Sequence, residues 1–158
     1  MMKKQTTDLA IDNDYLLADR NKSKKYLSQN VKQRRREIKA DAKKLVADTF
    51  ANKRFKHPIR ITNKGIKEWT NQPHKLYAEK NEMLLDIKSV IFTAEYLGRM
   101  SRQPKDDYIS YLFSAKVKKT ESWIIVRKYD RVNDCVIHSI SDNYSILRHL
   151  EKKEKDVD

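Results

Sequence analysis

The hydrophobic period of the chain changes near Gly98, and that change fixes the order in which helices and strands can follow one another. Upstream, apolar residues recur at steps of three, four and seven, which stacks them along one face of a helix. From Ser23 to Ala51 that stripe is Leu27, Val31, Ile38, Ala42, Leu45, Thr49 and Phe50. With no Gly or Pro to interrupt it, the segment predicts a long amphipathic helix. From His74 to about Gly98, residues such as Leu76, Met83, Leu84, Ile87, Ile91 and Leu97 predict a second long helix with a buried stripe. Downstream the period falls to two. Tyr108 to Val117, Ser122 to Tyr129 and Cys135 to Ile140 read as strands, separated by turns at 118–121 and 130–134. Short loops between them imply an antiparallel meander. Ser141-Asp142-Asn143 is placed to cap a final helix from Tyr144 to about Lys152.

The stretch from Ile59 to His74 joins the two regimes. Ile59-Arg60-Ile61-Thr62 alternates like a half-buried strand, with Pro58 at its start where no ladder donor is needed. Asn63-Lys64-Gly65 breaks it, Thr62 or Asn63 can cap a short helix from Ile66 to Asn71, and Gln72-Pro73 stops that helix. The fold class is therefore α+β: a basic N-terminal helix, then a compact domain of helices packed on a small antiparallel sheet whose other face can meet a ligand. The expected units are a basic helical arm at 1–56, the α+β domain at 57–153 and a fraying tail at 154–158. Within the arm, 6–21 reads as weakly ordered or a short helix.

Charge narrows the partners. The 158 residues carry a formal +13, and residues 1–56 hold 16 bases against 7 acids. So basic a surface attracts polyanions, nucleic acid above all. Arg34, Arg35 and Arg36 make the first helix a candidate nucleic-acid arm, and its apolar stripe could equally pack on the following domain or on a second copy. No apolar run approaches the roughly 20 residues of a membrane span, and no signal peptide is evident, so a cytoplasmic location with no membrane partner is expected. The single cysteine, Cys135, rules out an internal disulfide framework and a multi-cysteine zinc site. Phosphate-loop, zinc-protease, serine-hydrolase and calcium-loop motifs are missing, and neither metal nor cofactor is expected.

The residues Ile59 to Trp69, Pro73-His74, the long helix after them, Trp123 to Arg127 and Val136 to Ile140 resemble the phage and mobile-element nuclease-like domains grouped with barnase, EndoU, colicin tRNases and RelE, the BECR-type fold. The resemblance covers about Ile59 to Ser141 and leaves out the basic arm. It implies a metal-independent ribonuclease, found as a toxin module or attached to phage head and polyvalent proteins.

Metal-free RNA cleavage uses the neighbouring 2′-hydroxyl as nucleophile. The protein must take its proton, protonate the 5′-oxygen and neutralise the phosphorane, leaving a 2′,3′-cyclic phosphate. Histidine suits both proton transfers, because its unperturbed pKa of about 6.5 lies near working pH, and fixed cations suit the phosphorane. The candidate catalytic residues are accordingly His74, His138 and Lys67. Arg60, Lys64 and Arg127 would hold phosphate, Ser139 and Ser141 would supply hydrogen bonds, and Trp69 is a candidate base-stacking platform weighed against a place in the core. His57 and His149 read as non-catalytic. The partner under this reading is RNA, including tRNA. The alternative is a non-catalytic protein that binds nucleic acid or blocks a partner, such as an immunity protein or a host defence complex.

Overall fold

The computed structural model describes residues 20–151, with side chains from residue 29 onward. The expectations for 6–19 and for the tail after 151 lie outside those residues, and that for Leu27 in the stripe lies outside the described side chains. The element order is helix α1 (Arg20–Ala42), strand β1 (Ile59–Arg60), helices α2 (Asn63–Asn71), α3 (Tyr77–Met83) and α4 (Ile87–Thr93), then strands β2 (Glu95–Arg99), β3 (Tyr108–Val117), β4 (Thr120–Tyr129) and β5 (Cys135–Ser141).

The domain is α+β, and its sheet is larger than a three-stranded meander. Five strands lie in the order β1-β5-β4-β3-β2. The three long strands form the expected antiparallel meander, with Phe113 opposite Ile124 and Ile124 opposite Ile140. β1 adds to β5 in parallel, Ile59 opposite Cys135, so the sheet is mixed. On the other edge, β2 pairs antiparallel with β3.

β2 corrects the expectation of one helix from His74 to Gly98. The helical stripe is real as far as Ile91 and Ala94, both buried, but α4 ends at Thr93 and Ala94 turns extended, with ψ 147. Glu95 to Arg99 then has an open strand edge to pair with, and tertiary pairing overrides local helical spacing. Gly98 is not a helix stop. It lies at φ +134 beside the bulge in the β2–β3 register, a conformation that favours glycine. Two further boundaries move: the first helix ends at Ala42, followed by a 3₁₀ turn to Leu45, and the final helix is a 3₁₀ segment, Tyr144–His149.

One face of the sheet carries the core. Ile59, Ile61, Tyr111, Phe113, Val117, Ile124, Val126, Cys135 and Ile137 are buried in it, together with Ile66 and Trp69 of α2, Leu84, and Ile87 and Ile91 of α4. Ile38 and Ala42 of α1 are 1% and 0% exposed in this same core, so the stripe of the basic helix packs on the domain that follows it. After β5 the chain runs back across the strands. Leu150 bridges to Met100 and the Glu151 amide donates to the Arg99 carbonyl at 2.9 Å, which brings the 3₁₀ segment against β4.

Candidate functional site

The joint between α2 and β5 is close. Thr62 is the N-cap of α2, its Oγ1 accepting from the Gly65 amide at 3.0 Å. A Cβ at Gly65 would lie 2.5 Å from the Ile137 carbonyl oxygen, so the helix reaches the strand this closely only because residue 65 has no side chain. Directly opposite, β5 is bulged. Val126 pairs with Ile137 and Ile125 with Ser139, which leaves His138 as the extra residue. Bulges re-aim side chains and are enriched beside functional sites.

His138 is half-buried, and desolvation pushes its pKa below the usual histidine value. Arg127 and Lys64 push it further down while Glu68 pulls it up. The ring is therefore neutral near pH 7, in the field of two cations and a carboxylate. Lys64 and Glu68 stand one turn apart on α2, and Arg127 comes from β4. Arg127 stacks its guanidinium 4.0 Å over the Tyr108 ring, and Tyr108 meets Tyr129 edge-on at 5.4 Å. Its Nε is buried without a hydrogen-bond partner. Such an orphaned donor costs about 1–3 kcal/mol, and the rest of the guanidinium, only part-buried, is the portion that can meet a phosphate oxygen.

The other histidine is elsewhere and is committed. The His74 side chain is fully buried; its Nδ1 accepts from the Leu76 amide at 2.8 Å. That bond places the ring proton on Nε2, which donates to Ser122 Oγ at 2.8 Å, and Ser122 passes the chain on to the Thr120 carbonyl. Burial, opposed by Asp142, lowers its pKa, so the ring stays neutral. Ser122 and the bulge at Ile125/Val126 are three to four residues apart along β4, roughly 10–13 Å at 3.3 Å per residue. The charged groups that act on one ring are absent from the other's. The structure thus does not bring the two expected catalytic histidines together: His74 pins 74–76 to the start of β4, and both of its ring nitrogens are occupied.

The remaining candidates separate in the same way. Lys67 is exposed on α2 and is not among the charges acting on either histidine. Arg60 lies in the cross-strand row of Val136 and Arg127, but its Nε donates to Asp134 at 2.5 Å. Ser139 is buried within the sheet, and Ser141 Oγ accepts from the Asn143 amide in the turn after β5. Trp69 is a correction. It is 0% exposed and its indole N–H donates to the Lys80 carbonyl at 2.8 Å, so no ring face is left for a base. On α1, Arg34 pairs with Glu82 and Arg35 donates to the Tyr77 hydroxyl, which ties these two side chains to α3, while Arg36 donates to Gln33 on its own helix and stays exposed.

Residues that the sequence reading passed over matter as much. Lys80 is fully buried, its Nζ donating to the Trp69 and Gln72 carbonyls at the C-terminal end of α2 and lying 4.5 Å over the Tyr77 ring. Burial, reinforced by Arg35, lowers its pKa to about 7. The available signal was a lysine four residues from both Leu76 and Leu84 on an apolar stripe. Glu68 carried a similar one, four residues after Lys64.

Fold and site define a basic α+β domain with a half-buried neutral histidine in the field of two cations and a carboxylate, and no cluster of metal-ligating groups among the described residues. Residues 29–135 match the model of the family described as large polyvalent protein-associated domain 3, and the chain belongs to that family. The match takes in α1 from residue 29 onward and Arg127, and ends at Cys135, three residues before His138. No curated protein and no solved structure matches the chain. Association with large polyvalent proteins, one of the settings implied by the resemblance, is thereby the family's own description.

Proposed function

We propose that this polyvalent-protein domain is a metal-independent endoribonuclease whose centre is His138 rather than a pair of histidines. The observation that carries the reading is the bulge that singles out His138 on β5, its imidazole held neutral in the field of Arg127, Glu68 and Lys64. A neutral ring takes the 2′-hydroxyl proton, and the negative charge of Glu68, which favours the protonated ring, stabilises the imidazolium that results. The same ring then returns the proton to the departing 5′-oxygen, while Arg127 and Lys64 hold the phosphorane charge. RNA in the cytosol, tRNA included, is the substrate class this reading implies, and a phage or mobile-element toxin module is its natural setting.

The test is incubation with RNA in EDTA, followed by end-group analysis. Cleavage to a 2′,3′-cyclic phosphate that His138→Ala abolishes, with RNA affinity kept, supports the reading. His74→Gln should lower stability and leave the wild-type fraction of folded enzyme active. A second reading, binding without cleavage, draws on the locked His74, which leaves one histidine where two were expected. Salt-dependent retention of RNA with no new ends would favour it and end the enzyme reading.

A further inference from the structure

Residues 49–58 form a structure of their own at the mouth of β1. The two ends are pinched together: the Phe50 amide donates to the Ile59 carbonyl at 2.7 Å and the Ile59 amide to the Phe50 carbonyl at 3.0 Å. Asn52, only 7% exposed, fastens the segment from within. Its Nδ2 donates to the Ile91 and Ala94 carbonyls at 2.7 and 2.8 Å, and its Oδ1 accepts from the Arg54 and Phe55 amides, both at 2.9 Å. Both donors and both lone pairs of the amide are thereby spent on backbone. Phe55 is the second fastening, wedged among Tyr96, Tyr111 and Phe113 with ring centroids 4.8–5.2 Å away.

What this closed loop presents is positive. Lys53, Arg54 and Lys56 are exposed, the segment contains no acid, and no ion pair or side-chain hydrogen bond engages the three among the described residues. The half-exposed His57 ring stands edge-on to Phe55 at 5.2 Å. The segment borders a hollow of about 520 Å³, open to solvent and lined by residues 49–58. Exposed cations on a helix usually stay solvated. Here the backbone that carries them is already ordered, so a ligand meets a fixed array without ordering the loop first.

We infer that residues 49–58 are a preformed site for the phosphate groups of a single-stranded nucleic acid, separate from the His138 centre. Arg54 offers the planar fork that matches phosphate oxygens, and Lys53 and Lys56 flank it as point charges. The hollow has the size of a small-ligand site and so takes one or two nucleotides of a flexible strand. His57 offers a ring beside it for a base. The site does not depend on cleavage at His138.

The experiment uses the full chain carrying His138→Ala in every arm, so that RNA stays intact whether or not the wild type cuts it. Binding of a labelled single-stranded oligoribonucleotide is measured by anisotropy across a salt series. Each phosphate contact on a single strand contributes about 0.7 to the slope of log K against log salt. Lys53→Gln, Arg54→Gln and Lys56→Gln together should therefore flatten the slope by about 2. The control removes three exposed charges at the β3–β4 hairpin, Lys116→Gln, Lys118→Gln and Lys119→Gln, and should change the slope less than half as much. Thermal melts report whether each variant is folded. An unchanged slope in the loop variant, or an equal change in the hairpin control, overturns the inference. So does a loop variant that loses poly-glutamate binding while keeping its RNA slope, which reassigns the loop to an acidic peptide.

Discussion

Gly65→Ala is the sharpest test of the joint between α2 and β5, because helix propensity and the fold predict opposite signs. In a helix, alanine is favoured over glycine by about 0.8–1 kcal/mol. In this helix the new Cβ would sit 2.5 Å from the Ile137 carbonyl oxygen, 3.3 Å from Ile61 Cγ1 and 3.5 Å from Thr62 Oγ1. An ordinary carbon–oxygen contact is about 3.3 Å, so helix and strand must separate by roughly 0.8 Å, and the blocking atom is backbone that cannot swing aside. Overpacking of this kind costs about 1–3 kcal/mol, and the upper half applies to a backbone clash. After the propensity gain, the expected net loss is about 1–2 kcal/mol, equivalent to a fall in Tm of roughly 3–8 °C for a domain this size. Urea and thermal unfolding measure it. The same shift carries Lys64 and Glu68 away from His138 and opens the ring to water, so its NMR titration should move up toward the ordinary histidine value. A variant as stable as the wild type or more so, with an unmoved His138 titration, would refute the close-approach argument.

Thr62→Ala removes the cap on the Gly65 amide and should cost about 0.5–2 kcal/mol, read as a lower urea midpoint with an unchanged m-value. His74 is held neutral, with a folded pKa below its unfolded value, so the unfolded chain binds more protons as pH falls below about 6.5. Its contribution is complete above that pH and is lost on acidification; His74→Gln should flatten the acid limb of a stability–pH curve, leaving the part with the same sign that His138 supplies. Lys80 works on the alkaline side. With its folded pKa lowered to about 7, the unfolded chain holds a proton that the folded protein has released. Stability should rise from pH 7 toward 10 through this group, and Lys80→Met should abolish that rise in paired denaturation curves at pH 7 and 9.5.

Much of the architecture was legible because it depends on short-range pattern. Alternation from Tyr108 to Val117 and the run Ser122 to Tyr129 gave β3 and β4 nearly to the residue, and Thr62 and Asn143 cap where the turn chemistry placed them. β2 escaped because Ala94 and Leu97 fit a helical stripe, and only the free edge of β3 made extension the better state for 95–99. The candidate site divides along the same line. His138, Lys64 and Arg127 were recognisable as residue types suited to phosphate, and the charges of both cations act on the His138 ring. His74 has the same chemistry in the sequence but lost its availability to Ser122 and the Leu76 amide, partners that are a matter of packing.

By itself, the sequence determined that the chain is basic, α+β and led by a charged amphipathic helix, because net charge and apolar period are properties of residues in order. Tertiary structure decided which of the charged and polar groups are still free. It committed Arg60 to Asp134, Trp69 to Lys80 and His74 to Ser122, and it left the buried Arg127 Nε without a partner and His138 at a bulge. The physical reason is that a side chain's chemistry is local, while its availability depends on which distant segments desolvate it and satisfy its hydrogen bonds.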